Sequence, residues 1–256
     1  MVSFTHSSFS LLVPSLLTVA VIGSASVGVA HAGYMGTDLV LVSMSDSQGR
    51  SASVGIANPF DNLPPQAQVP ERVREMISER FELRDGNDFL GWVDSLSVEL
   101  IGDPVASINF AVTAGGSDVT VTVSSATVTF SALNNPAASA EAEITLTDNG
   151  GAAATIDPIS GNSGLFQAIY NGTQEYASLL GSSSIGGGAV TFSEDTSGPI
   201  AGSASSIQAQ FAFQLSAGDS ASGTGTFTVV PEPTSVGLLI CAFVAFIGSH
   251  GRRRCL

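Results

Sequence analysis

Lysine is missing from all 256 residues, and histidine and cysteine are missing from the long middle of the chain. The three histidines are His6, His31 and His250, and the two cysteines are Cys241 and Cys255. A middle section without these side chains has no Ser-His-Asp or Cys-His nucleophile, no Schiff-base lysine, no imidazole base and no His/Cys zinc site. It has no disulfide either, so packing must hold it together. Positive charge is scarce as well: between residues 33 and 229, 21 carboxylates stand against Arg50, Arg72, Arg74, Arg80 and Arg84, a formal charge of −16. A field of that sign repels nucleic acid and anionic lipid, and it favours divalent cations. No nucleic-acid partner is expected.

What is present divides the chain into three. Leu11 to Ala30 is apolar or small throughout, and Ala30-His31-Ala32 before Gly33 satisfies the small-x-small rule for signal-peptide cleavage. Residues 1–32 therefore read as a signal peptide cut after Ala32. Met1 to Ser10 departs from the usual pattern in carrying no Lys or Arg.

At the other end, residues 230–256 join Pro231-Glu232-Pro233, an apolar run from Val236 to Ile247, and Arg252-Arg253-Arg254. As a helix, the 16 residues Thr234 to Ser249 reach roughly 24 Å, a little short of a ~30 Å hydrocarbon core but enough for a locally thinned one. The three arginines act as a stop-transfer signal and keep the C-terminus on the cytoplasmic side. Pro231 and Pro233 fix φ and lack N–H donors, so the junction stays extended, as a processing enzyme requires. An ordinary C-terminal anchor is the competing reading, although an anchor needs no Pro-Glu-Pro.

In this order, the Pro-Glu-Pro, the apolar helix and the arginine cluster resemble the PEP-CTERM sorting signal of exopolysaccharide-producing Gram-negative and related bacteria. The resemblance implies a partner, the membrane-embedded transpeptidase-like protease exosortase, which would cut near Pro231-Glu232-Pro233. It also implies transient attachment to the membrane through the C-terminal helix and delivery to the cell envelope, the surface or an exopolysaccharide matrix. It transfers no enzymatic activity.

Residues 33–229 read as one exported domain. Leu96-Val98-Leu100, Ile108-Phe110-Val112, Val119-Val121-Val123, Ala140-Ala142-Ile144-Leu146 and Ile207-Ala209-Phe211-Phe213-Leu215 alternate apolar with polar residues, the mark of half-buried strands. Near ten strands and frequent turns predict an all-β antiparallel sandwich or jelly roll. One helix is expected near residues 70–83, where Val73, Met76, Ile77 and Phe81 recur at helical spacing after Pro70. Ala114-Gly115-Gly116-Ser117 reads as a hairpin, Gly181 to Gly188 as a mobile surface loop, and Trp92 as a core anchor.

For function, the inventory of side chains leaves one catalytic class open. Two carboxylates hydrolyse a glycosidic bond without histidine, and Glu99, Glu141, Glu143, Glu175 and Glu194 are the candidates. Glu99, Glu141 and Glu143 alternate with the apolar face of their strands, which makes them solvated surface groups, and only Trp92, Tyr34, Tyr170 and Tyr176 are available to stack on sugars. No catalytic residue is assigned. Calcium needs only oxygen ligands, which Asp148, Asn149 and Asp157, or Asp85, Asn87 and Asp88, would supply. Local turn hydrogen bonding explains both groups, so no metal or other cofactor is assigned. Asn171-Gly172-Thr173 matches a glycosylation sequon and reads equally as a turn. The chain is thus expected to be a non-enzymatic surface or matrix protein associated with exopolysaccharide, the alternative being a carbohydrate-binding module or a carboxylate-dependent glycoside hydrolase.

Overall fold

Side chains of alternating character have to be sorted to two faces, and strands do this at every second residue. A computed structural model describes residues 33–60 and 70–231. The signal peptide with its Ala30 and Ala32, Glu232 and Pro233 of the sorting motif, the apolar run and Arg252 to Arg254 lie outside the described residues. In chain order the strands are β1 (Gly33–Asp46), β2 (Ser51–Ala57), β3 (Arg72–Ile77), β4 (Phe81–Asp85), β5 (Asp88–Ile101), β6 (Val105–Ala114), β7 (Val119–Asn134) and β8 (Ala137–Asp148). They continue with β9 (Ala154–Pro158), β10 (Phe166–Tyr170), β11 (Gln174–Leu179), β12 (Ser183–Ile185), β13 (Gly188–Pro199), β14 (Ser203–Leu215) and β15 (Ser220–Val230).

These strands form two antiparallel sheets. The first runs β11-β10-β14-β7-β1-β2, with β9 beside the end of β14 and β12 beyond it. The second runs β13-β8-β15-β6-β5, with β3 and β4 lying end to end along the far side of β5. The inner faces pack as a sandwich. Phe110 of β6 meets Phe211 and Phe213 of β14 at ring-centroid distances of 4.9 and 5.8 Å, and Phe166 of β10 meets Phe211 at 4.9 Å. Each of these rings is fully buried, worth about 1.5–3 kcal/mol apiece. They fit because β15 is thin where it faces them: a Cβ on Gly225 would run into Phe166 and Phe211, and one on Gly223 into Phe110. At one side Tyr176 of β11 stacks on Phe227 of β15 at 5.4 Å.

The helix expected near residues 70–83 does not form. That segment is β3 and β4, and there is no helix among the described residues. Val73 and Ile77 share a parity and turn inward, whereas Met76 points to solvent, 69% exposed. The free edge of β5 offers six ladder pairs, from Arg72 opposite Ile101 to Ile77 opposite Leu96. A helix of that length has little stability of its own to set against them.

Two connections also differ from expectation. Ala114 to Ser117 carries the chain from one sheet to the other rather than closing a hairpin, and it is held by Ala114 N–H donating to Asp219 O at 2.8 Å and Gly218 N–H to Gly115 O at 2.7 Å. The Gly181 to Gly188 stretch contains β12, whose Ser183 pairs with Ile156. Asn171-Gly172-Thr173 does close the β10–β11 hairpin, a three-residue loop between Tyr170 and its partner Gln174, with Asn171 and Gly172 in the left-handed region at φ of 48° and 80°.

Candidate functional site

The inner residues of the second sheet are apolar, so its outer face receives the Ser, Thr, Asn and Glu that alternate with them. Side chains there tie neighbouring strands together. Ser107 and Thr226 hydroxyls lie 3.0 Å apart, Thr113 and Ser220 2.9 Å, Thr145 and Thr191 2.7 Å, and Asn109 Nδ2 donates to Thr224 Oγ1 at 3.1 Å. The result is an open hydroxyl-bearing surface across the four strands β6, β15, β8 and β13.

Trp92 stands at one corner of this face and not in the core. Gly91 and Val93 of β5 are buried, past an irregularity at Leu90, and Trp92 between them turns outward opposite Thr113. The Arg80 guanidinium lies 4.0 Å from the indole centroid, and Phe89 meets the ring edge-on at 5.2 Å. Arg80 Nε is 2.8 Å from Asp94 Oδ1, while Asp94 Oδ2 accepts from Thr113 Oγ1 at 2.7 Å. The cation therefore occupies one face of the indole.

At the opposite side, an open hollow of about 420 Å³ is lined by Glu141 and Glu143 of β8, Ser193, Glu194 and Asp195 of β13, and Thr224 of β15. Of the five glutamates singled out from sequence, the fold brings Glu141, Glu143 and Glu194 here. Glu99 is paired with Arg72, and Glu175 lies on β11 in the other sheet. Glu194 is partly committed, since its Oε2 accepts Leu180 N–H at 2.6 Å. Asp195 was not singled out. It faces Glu141 directly across the β8–β13 ladder, 54 positions away in sequence, and only the register reveals the pairing. Two like charges so placed repel, and together they form a site for something cationic or hydroxyl-rich.

The tyrosines are structural. Tyr34 is buried, and its hydroxyl donates to Pro70 O at 3.0 Å and to Leu100 O at 3.3 Å. Burial, and secondarily the Glu71 charge, pushes its pKa up to about 12. Tyr176 donates to Ala138 O at 2.8 Å, and burial raises its pKa too. Tyr170 packs half-buried against the core.

The Asp/Asn clusters serve as local clamps. Asp148 Oδ1 accepts Gly150 N–H at 2.8 Å, and Asn149 Nδ2 donates to Gly218 O at 3.0 Å and Ser220 Oγ at 2.7 Å, while Asp157 sits opposite Gln214 in the ladder. Asp85 Oδ2 accepts Ser51 N–H at 3.2 Å, Asp88 is 3.1 Å from Arg50, and Asn87 O accepts from Arg84. Asp46 is held below the usual carboxylate range, chiefly by its hydrogen bond from Arg50. Asp219, which sequence reasoning missed, is buried and accepts Asn149 N–H at 3.2 Å and Ser216 Oγ–H at 2.5 Å. Asn171 likewise clamps a turn, donating to Ser203 O at 2.7 Å and accepting Ser205 N–H at 2.9 Å. Among the described residues, no three His, Cys, Asp or Glu side chains are gathered as metal ligands.

The ends of the described domain leave it at one pole. Gly33 begins β1 opposite Thr129, Val230 ends β15 opposite Ala137, and the turn joining β7 to β8 lies between those two partners. Val229 N–H donates to Pro104 O at 3.0 Å, and the exposed Pro231 follows immediately.

Compared with models of known protein families and with curated protein sequences, the chain matches none. Among solved structures it is similar to the enzymatically active domain of tailspike protein 4 from bacteriophage CBA120, with 8% identity and a TM-score of 0.28 over 62% of this chain and 19% of that one.

Proposed function

We propose that the chain is an exported, non-enzymatic protein of the cell surface or extracellular matrix, sorted by a PEP-CTERM signal and trimmed by an exosortase. In this reading residues 1–32 are removed on export, the C-terminal helix holds the precursor in the membrane, and the released β-domain associates with exopolysaccharide. One observation carries the reading. The last described strand, a central one, ends at Val230, and Pro231 directly after it is exposed. A cut at or beyond Pro231 leaves every ladder intact, whereas a cut within β15 would pull out the strand between β6 and β8.

Mass spectrometry of the natural protein's C-terminus tests this. The expected mass ends close to Pro231, and Glu232→Ala or deletion of residues 252–254 should give a longer, mislocalised product. A surface-located protein still ending at Leu256 would overturn the reading.

The acidic hollow favours a second reading, a module that binds or cleaves carbohydrate using Glu141 and Asp195. Saturable polysaccharide binding lost in Trp92→Ala, or hydrolysis lost in Glu141→Gln and Asp195→Asn, would favour it over the first.

A further inference from the structure

Among the described residues the second sheet ends in two unpaired edges. One is β13, twelve residues paired to β8 without a bulge, with Asp195 on its outer face next to Glu141 and Glu143. The other is formed by β3 and β4 end to end, where Arg72, Arg74, Arg80 and Arg84 are interspersed with Glu75, Glu79, Glu82 and Asp85. Arg50, Arg72, Arg80 and Arg84 each have a carboxylate partner; among the described residues Arg74 alone has no ion pair. A long regular edge strand is a template for another strand unless charge or proline blunts it. Here one edge has an unanswered cation and the other has unanswered carboxylates.

We propose that these edges join head to tail, so that β13 of one copy pairs with β3 of the next and the second sheet continues from molecule to molecule. Two features of the topology make the edges compatible. Five successive antiparallel pairings separate β3 from β13, so the two strands run in opposite directions, and a second copy in the same orientation meets the first in an antiparallel junction. The register then supplies the charges. Arg74 faces Glu99, Glu99 faces Ser107, Ser107 faces Thr226, Thr226 faces Glu141 and Glu141 faces Asp195. Arg74 and Asp195 thus end one cross-strand row, on the same outer face, and continuation without a register shift sets the Arg74 of the next copy opposite Asp195 and within reach of the hollow. Glu75 alternates to the other face of β3 and does not oppose the match. A heterologous contact of this kind propagates as a helical filament unless the rotation set by the sheet twist closes it into a ring.

The inference goes beyond the sorting reading and does not depend on it, because association is measured on purified protein. Full-length chain in non-ionic detergent, with reductant present for Cys241 and Cys255, is sedimented over a concentration series. Wild type should associate progressively, and more weakly as salt shortens the Debye length from about 10 Å at 0.1 M. Arg74→Asp and Asp195→Arg should each weaken association at least ~10-fold by placing like charges across the junction, with Asp195→Asn intermediate. The double variant, and an equimolar mixture of the two single variants, should recover it, which also establishes that the single variants are folded. Wild type that stays monomeric, association equal in all variants, or a double variant no better than the singles would each overturn the proposal.

Discussion

The two sheets of this sandwich are built to different tolerances. The pairings of β1 with β2, of β1 with β7 and of β7 with β14 in the first sheet each have a register shift, between Asp38 and Val40, between Met35 and Val40, and at Ala204/Ser206 and Ile207/Gln210 respectively. Bulges bend a strand and increase its local twist. The second sheet pairs β13, β8, β15 and β6 over twelve, eleven and nine consecutive residues with no shift at all. The second sheet has its irregularities only where β5 meets β4 and β6, and it keeps a continuous outer surface across β13, β8, β15 and β6. Regularity is therefore concentrated in the four strands that carry the acidic hollow and the β13 edge.

The largest way to break this comparison is at the contact the sheets share. Phe211→Ala removes a buried ring that touches both Phe110 and Phe166, and should cost about 3–5 kcal/mol in denaturant unfolding, with loss of cooperativity across both sheets. Ser125→Ala probes the bulged sheet alone. The buried Ser125 hydroxyl accepts Ala209 N–H at 3.1 Å, and leaving that donor unpaired should cost about 1–3 kcal/mol.

Tyr34 links the two sheets and gives a pH test. Its pKa is raised in the fold, so its contribution is fully present below the ordinary tyrosine value of about 10 and is lost as pH rises through about 12. Alkaline unfolding should set in across that window, and Tyr34→Phe should flatten it at a cost of about 0.5–1.5 kcal/mol at neutral pH. The smallest effect is expected on the regular sheet's outer face, where Thr226→Val should change stability by no more than about 0.5 kcal/mol. A cost above 2 kcal/mol there would mean that the hydroxyl surface is structural.

The strands of the second sheet were legible because strict alternation, as in Ile108-Phe110-Val112 or Ala140 to Leu146, is a local property. The turn at Asn171-Gly172 was legible for the same reason. The segment around Val73 to Phe81 misled because its apolar spacing suits a helix, and what decides its state is an empty edge on β5, which no local pattern reports. Trp92 misled because apolar neighbours on both sides disguise its parity. The hollow was half visible: Glu141 and Glu143 could be found as outward carboxylates, but their meeting with Asp195 depends on which strand lies next to β8. Asp219 carried no signal beyond being one aspartate in a turn. Its role comes from three connections converging on it.

The position of β15 has a consequence for the order of events. The strand between β6 and β8 is the last of the fifteen to be synthesised, and until it arrives those two have no shared partner and Phe166 and Phe211 have no floor. The domain cannot close strand by strand from its N-terminus as it emerges, and this keeps the polypeptide pliable until residues 220–230 have been made and moved.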